Sequence, residues 1–242
     1  MPLAARAETQ AQICDTPLDL IRLANPLSRV SQKLNSGEPI TIVAIGSSST
    51  AGASSAAANY PSRLQAELTQ RFPGHAITVL NRGVNGEEVA DMLRRFDTAV
   101  IAAKPDLVIW QLGTNSVLRD HHLDDHGASI RAGFAKIRSV GADIVLIDPQ
   151  YAPKVIAKLE AAPMVKLLVT TAKQEDVDLF PRFSVIKRWY DVDHMKFASF
   201  VSPDGLHMND WSYGCLAKGL TIAIAEAVNR PVLSAAAMSM MP

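Results

Sequence analysis

Short apolar runs alternate with amphipathic stretches along nearly the whole chain. The first run, Ile40 to Ile45, is rich in β-branched residues and ends at Gly46, the pattern of a strand buried on both faces. Tyr60, Leu64, Leu68 and Phe72 then recur at helical spacing, with Pro61 suited to the first turn and Pro73-Gly74 as the stop. Ala76 to Leu80 reads as a second strand, and Val89, Met92, Leu93, Phe96 and Val100 as one helical stripe. Asp106 to Leu112 is a third strand, Ile130 to Val140 a helix closed by Gly141, and Asp143 to Ile147 a fourth strand. A helix from Pro163 to about Lys173 leads to a short fifth strand, Val177 to Phe180, and Leu216, Leu220, Ile224 and Val228 form the apolar face of the last helix. Strands each followed by helical material predict an α/β fold, a three-layer α/β/α sandwich around a five-stranded parallel sheet.

With 242 residues and 48% hydrophobic composition, the chain suits one domain with a full core. We expect that domain at residues 37–230, after a partly disordered N-terminal arm, 1–36, and before a disordered methionine-rich tail, 231–242. Lys plus Arg and Asp plus Glu number 24 each, a balance with no basic stripe for nucleic acid. No apolar run reaches the roughly 18 residues of a spanning helix, so no stable membrane insertion is expected. Ala5-Arg6-Ala7 has the small-x-small form of a signal-peptidase site without the apolar segment that should precede it, which favours a trimmed signal peptide and a periplasmic or secreted protein. Cys14 and Cys215 leave two readings: a disulfide tying the arm to the last helix, or two buried thiols.

Sites in parallel α/β sheets form outside the carboxyl ends of the strands. After the first strand comes Gly46-Ser47-Ser48-Ser49, a serine turn opening a helix, where backbone N–H groups favour a developing anion; a solvated turn fits equally well. After the second comes Asn81-Arg82-Gly83, and after the third Gly113-Thr114-Asn115-Ser116, whose amide side chain suits an oxyanion. Before the last helix stands Asp204-Gly205-Leu206-His207, a spacing that lets the carboxylate fold back on the imidazole Nδ1–H. Each is weak alone, but together they supply every role in acyl transfer.

In this order the four blocks resemble the signature blocks of the SGNH/GDSL hydrolase superfamily, over about residues 40 to 230. The resemblance implies a flavodoxin-like sheet, Ser48 as nucleophile, His207 and Asp204 completing a triad, and an oxyanion hole from Ser48, Gly83 and Asn115. It implies no cofactor and no metal. Its activity would be hydrolysis of short-chain esters, acetyl esters of carbohydrate included. The same triad would serve an O-acyltransferase, and the fold alone a non-catalytic carbohydrate-binding envelope protein. Ser47 and Ser116 depart from the family's aspartates and point to a divergent subgroup with differently held loops.

Other polar clusters read as scaffolding. His121, His122, Asp124, Asp125 and His126 could supply metal ligands, but a solvated loop beside the site is the simpler reading. Asp193-His194 is too tight a pair for the catalytic contact. Asp148 to Tyr151 follows the fourth strand and is expected to wall the cleft. Trp110 belongs to the core, and Trp211 fits either core or site.

Overall fold

The computed structural model describes residues 14–54, 59–121, 123 and 125–230. Strands β1 (Ile40–Gly46), β2 (Ile77–Gly83), β3 (Leu107–Gln111), β4 (Asp143–Ile147) and β5 (Asp178–Phe180) form one sheet in the order β2-β1-β3-β4-β5. Every pairing is parallel. Parallel sheets are covered on both faces, which is why β1, β3 and β4 read as unbroken apolar runs. The order reverses between β1 and β3, the switch point at which such sheets open a crevice.

The connecting helices are α1 (Leu18–Ile21), α2 (Ser28–Ser36), α3 (Ser48–Ala51), α4 (Tyr60–Arg71), α5 (Val89–Arg94), α6 (Phe96–Ala99), α7 (Thr114–Leu118), α8 (His126–Arg138), α9 (Pro153–Ile156), α10 (Ala161–Gln174), α11 (Arg182–Asp191) and α12 (Asp210–Val228). Asn59 caps α4 through its side chain onto the Ser62 N–H, and Pro61 sits in the first turn. Trp110 is fully buried, with its ring centroid 5.0 Å from that of Phe96 and 6.1 Å from that of Phe134. A Cβ on Gly133 would fall 2.2 Å from the Trp110 ring, so glycine is what lets α8 close on the sheet.

Three features depart from the expectation. Strand β2 continues through Asn81 and Gly83, which therefore lie in the strand and not in a turn after it. The stripe from Val89 to Val100 is two helices, broken at Arg95, whose N–H turns back to the Met92 carbonyl while its guanidinium binds Glu87 and the Arg82 carbonyl. Helix α11 was not foreseen.

Residues 14–36 of the arm pack onto the domain. Ile21, Leu23, Leu27 and Val30 are buried in the common core. Both Asp143 carboxylate oxygens accept the first N–H groups of α2, Arg29 and Val30, and Asp178 accepts from Asn25. Burial pushes the carboxyls of Asp143 and Asp178 up to about 6 despite these bonds. Cys14 and Cys215 form a disulfide across 201 residues of sequence, pinning the arm to α12. The expected signal-peptidase site and the tail 231–242 lie outside the described residues.

Candidate active site

The carboxyl ends of β1, β2 and β3 bring the sequence blocks together. Ser48 opens α3 directly after β1, and its turn is held from below by one atom. Gln111 Oε1, at the end of β3, accepts from the Ser47 N–H at 3.0 Å, the Ser47 hydroxyl at 3.2 Å and the Thr50 hydroxyl at 3.2 Å. A Cβ on Gly46 would strike Thr50 Oγ1 and Gln111, so glycine is required for the turn to pack there.

His207 Nε2 lies 2.8 Å from Ser48 Oγ, and His207 Nδ1 lies 2.5 Å from Asp204 Oδ2. The Asp204 carboxylate also accepts the N–H groups of Leu206 and His207, both at 2.9 Å, which folds the loop back on itself. Partial burial works against the charge, yet the bonds from His207 and Leu206 hold the Asp204 carboxyl down at about 2. A carboxylate at Nδ1 requires the proton on that nitrogen, which leaves Nε2 as acceptor for the Ser48 hydroxyl. The loop itself is pinned by the Ser202 N–H to the His207 carbonyl and by Lys154 N–H to the Gly205 carbonyl.

Two further residues of the predicted set carry other bonds. The Asn115 amide donates to the Glu87 carbonyl at 2.8 Å, which uses one of its two N–H groups. The Gly83 N–H donates to Asn81 Oδ1 at 2.9 Å, and the Asn81 amide donates to the Thr50 carbonyl. Gly83 is packed so tightly that a Cβ would lie 2.2 Å from the Ala51 nitrogen. Its visible part is to let β2 touch α3.

Ser116, in the place of the family's aspartate, donates to Glu88 Oε2 at 2.8 Å. Glu88 also binds Arg119 and His121, and although burial raises its carboxyl, the bonds from Arg119, Ser116 and His121 bring it below the ordinary carboxylate range. His126 Nε2 lies 2.9 Å from Ser116 Oγ. A recess of about 420 Å³ opens beside this cluster, lined by Glu88, Asp91, His121, Asp125, His126 and Ser129 among others. No group of three or more metal-binding side chains occurs among the described residues; His122 and Asp124 lie outside them.

Asp148 and Gln150 do not wall a cleft, as expected, but are buried supports. Gln150 accepts from the Thr114 hydroxyl and donates to the Leu206 carbonyl, linking the β3 and histidine loops. Burial pushes the Asp148 carboxyl up to about 7, against bonding from Phe183 and the nearby Arg182 charge. Trp211 is half-buried against Trp189, ring centroids 5.0 Å apart. Asp193 lies 3.5 Å from Arg188, and His194 has a positive φ of 53°.

Sequence reasoning missed Gln111, Glu88 and Arg182. Gln111 left one trace, the single polar residue ending an apolar strand.

The family model for the Non-GDSL lipase-like family matches residues 13–230. An acetylxylan esterase of Geobacillus stearothermophilus is 31% identical over 90 residues, a stretch covering 33% of this chain and 41% of that relative. The crystal structure of an acetylxylan esterase from Geobacillus stearothermophilus superposes with a TM-score of 0.65 at 19% identity, covering 79% of this chain and 95% of that one. A two-domain esterase active on acetylated mannans gives 0.72 at 19% identity, covering 88% of this chain and 58% of that one. At these identities the likeness of the structures is one of fold. Ser47, where the superfamily usually has aspartate, is in keeping with the family's name. The chain belongs to the Non-GDSL lipase-like family and, with it, to the SGNH/GDSL-like hydrolases.

Proposed function

We propose that this protein is a serine esterase that removes acetyl groups from carbohydrate through an acyl-enzyme on Ser48. The observation that carries the reading is the hydrogen-bonded chain Ser48–His207–Asp204 at the carboxyl ends of the strands. Ser48 Oγ attacks the ester carbonyl while His207 Nε2 takes its proton. Asp204 holds the ring and stabilises the imidazolium. The tetrahedral oxyanion is received by the Ser48 N–H and the second N–H of Asn115, with Gly83 joining when Asn81 Oδ1 yields its place. Collapse breaks the bond to the sugar oxygen, which takes the proton from His207 and leaves as a hydroxyl, and water then releases acetate by the same steps.

The carbohydrate part rests on the relatives, which act on acetylated xylan and mannans. The Cys14–Cys215 disulfide favours action outside the cytoplasm.

Acetate release from acetylated xylo- and manno-oligosaccharides, with p-nitrophenyl esters from acetate to decanoate alongside, tests this. We expect activity on the short esters that is lost in Ser48→Ala. Product that shifts from acetate to acetylated alcohol as acceptor is added would make the protein an acyltransferase. No turnover by a folded protein on any ester would favour the non-catalytic reading.

A further inference from the structure

Behind the nucleophile turn, four buried polar atoms have no hydrogen-bond partner among the described residues: the Tyr60 hydroxyl, Asp148 Oδ2, and Nη1 and Nη2 of Arg182. None of the three residues is more than 1% exposed. They come from separate elements, Tyr60 beginning α4, Asp148 following β4 and Arg182 beginning α11, and the Arg182 charge reaches both other groups. Two bonds fix the pair without using these atoms. Arg182 Nε donates to the Asp148 carbonyl at 2.8 Å, and Asp148 Oδ1 accepts the Phe183 N–H at 2.8 Å.

The Arg182 charge acts on Asp148 and on the phenols of Tyr60 and Tyr213. Both phenols neighbour residues of α3. Tyr60 neighbours Thr50, which shares Gln111 Oε1 with Ser47. Tyr213 neighbours Ser49 and donates to the Ala53 carbonyl at 3.2 Å.

A buried guanidinium with two orphaned nitrogens is costly unless something accepts from it. A buried polar space offering several donors and acceptors retains water. We propose that Arg182, Asp148 and Tyr60 enclose a buried hydration site behind the nucleophile turn, and that Arg182 acts through it as a positioning residue for Ser48. Water there accepts from Arg182, donates to Asp148 Oδ2 and bonds the Tyr60 hydroxyl, which steadies Thr50 and the first turn of α3. The cation also biases the local potential toward the anion that develops at the Ser48 end of that turn. The positioning half rests on the reading of Ser48 as nucleophile; the hydration half does not.

Crystal structures of the full chain and of Tyr60→Phe, with steady-state kinetics on p-nitrophenyl acetate, test both halves. Tyr60→Phe keeps the ring and removes only the hydroxyl that neighbours Thr50. We expect ordered water within hydrogen-bond reach of Arg182 Nη1 or Nη2 and Tyr60 Oη, and a kcat reduced about tenfold in Tyr60→Phe at unchanged KM and unchanged melting temperature. Arg182→Lys should recover part of the kcat lost in Arg182→Met. A dry site with a direct guanidinium–carboxylate pair overturns the hydration site. Full kcat in Tyr60→Phe, with equal loss in both Arg182 variants, overturns the positioning role. Wild-type turnover in Ser48→Ala would instead fail the nucleophile reading and the positioning role with it, leaving the crystal structure to judge the water.

Discussion

Replacing Gln111 by leucine should damage the Ser48 turn more than the volume change suggests. Leucine nearly fills the space but offers no acceptor. The Ser47 N–H, the Ser47 hydroxyl and the Thr50 hydroxyl all donate to the one oxygen that is lost, and Ser47, Thr50 and Gln111 are each at most 2% exposed. An orphaned buried donor costs about 1–3 kcal/mol. The three share one acceptor and the hydroxyls can turn elsewhere, so the sum is nearer the Ser47 N–H penalty plus a fraction, about 3 kcal/mol. Against a domain stability of about 5–15 kcal/mol the variant still folds. At about 2–4 °C per kcal/mol for a chain this long, the melting temperature should fall by about 6–12 °C. Calorimetry reads that shift, and hydrolysis of p-nitrophenyl acetate by the folded variant reads the turn, with kcat lowered and KM little changed. A variant that melts within about 1 °C of the parent, less than the smallest single-donor penalty, and turns over at the parent's rate would refute the role given to Gln111.

Further outcomes follow from the same geometry. Asp204→Asn should lower kcat by about 10⁴-fold without unfolding the protein, the scale on which a triad fails when its carboxylate is neutralised, and steady-state kinetics will show it. Reducing the Cys14–Cys215 bond, which closes a loop of 201 residues, should cost about 5 kcal/mol in the chain-entropy account, read as a lower urea midpoint with dithiothreitol; an unchanged midpoint would count against it. The carboxyls of Asp143 and Asp178, raised to about 6, and of Asp148, raised to about 7, bind protons more tightly folded than unfolded. Their contribution is complete below about pH 4 and lost as pH rises through 6–7, so melting temperature should fall across that window and Asp143→Asn should flatten the fall.

The strands were legible because a sheet covered on both faces demands unbroken β-branched runs, as in Ile40 to Ile45 and Asp143 to Ile147. The blocks around Ser48, Asn115 and His207 were legible because they stand where such a sheet opens its crevice. What escaped depends on contacts that no local pattern announces. Helix α1 has four residues, too few to show a period, and owes its place to Ile21 burial and the disulfide. Arg182 reads as a surface charge and is buried, because the Asp148 carbonyl and the α11 start need it there. The break at Arg95 comes from a guanidinium reaching Glu87, across the grain of an intact apolar stripe. The Gly83 N–H was expected in the oxyanion hole, but Asn81, two residues earlier in the same strand, takes it in the resting protein.

The most direct test of the central claim is mass spectrometry of the protein after exposure to an organophosphonate ester that phosphonylates activated serines. We expect one adduct, on the peptide carrying Ser48, formed with loss of all esterase activity and not formed in His207→Ala. Esterase activity that survives with Ser48 fully modified, or an adduct that maps to another serine while activity disappears, would contradict it.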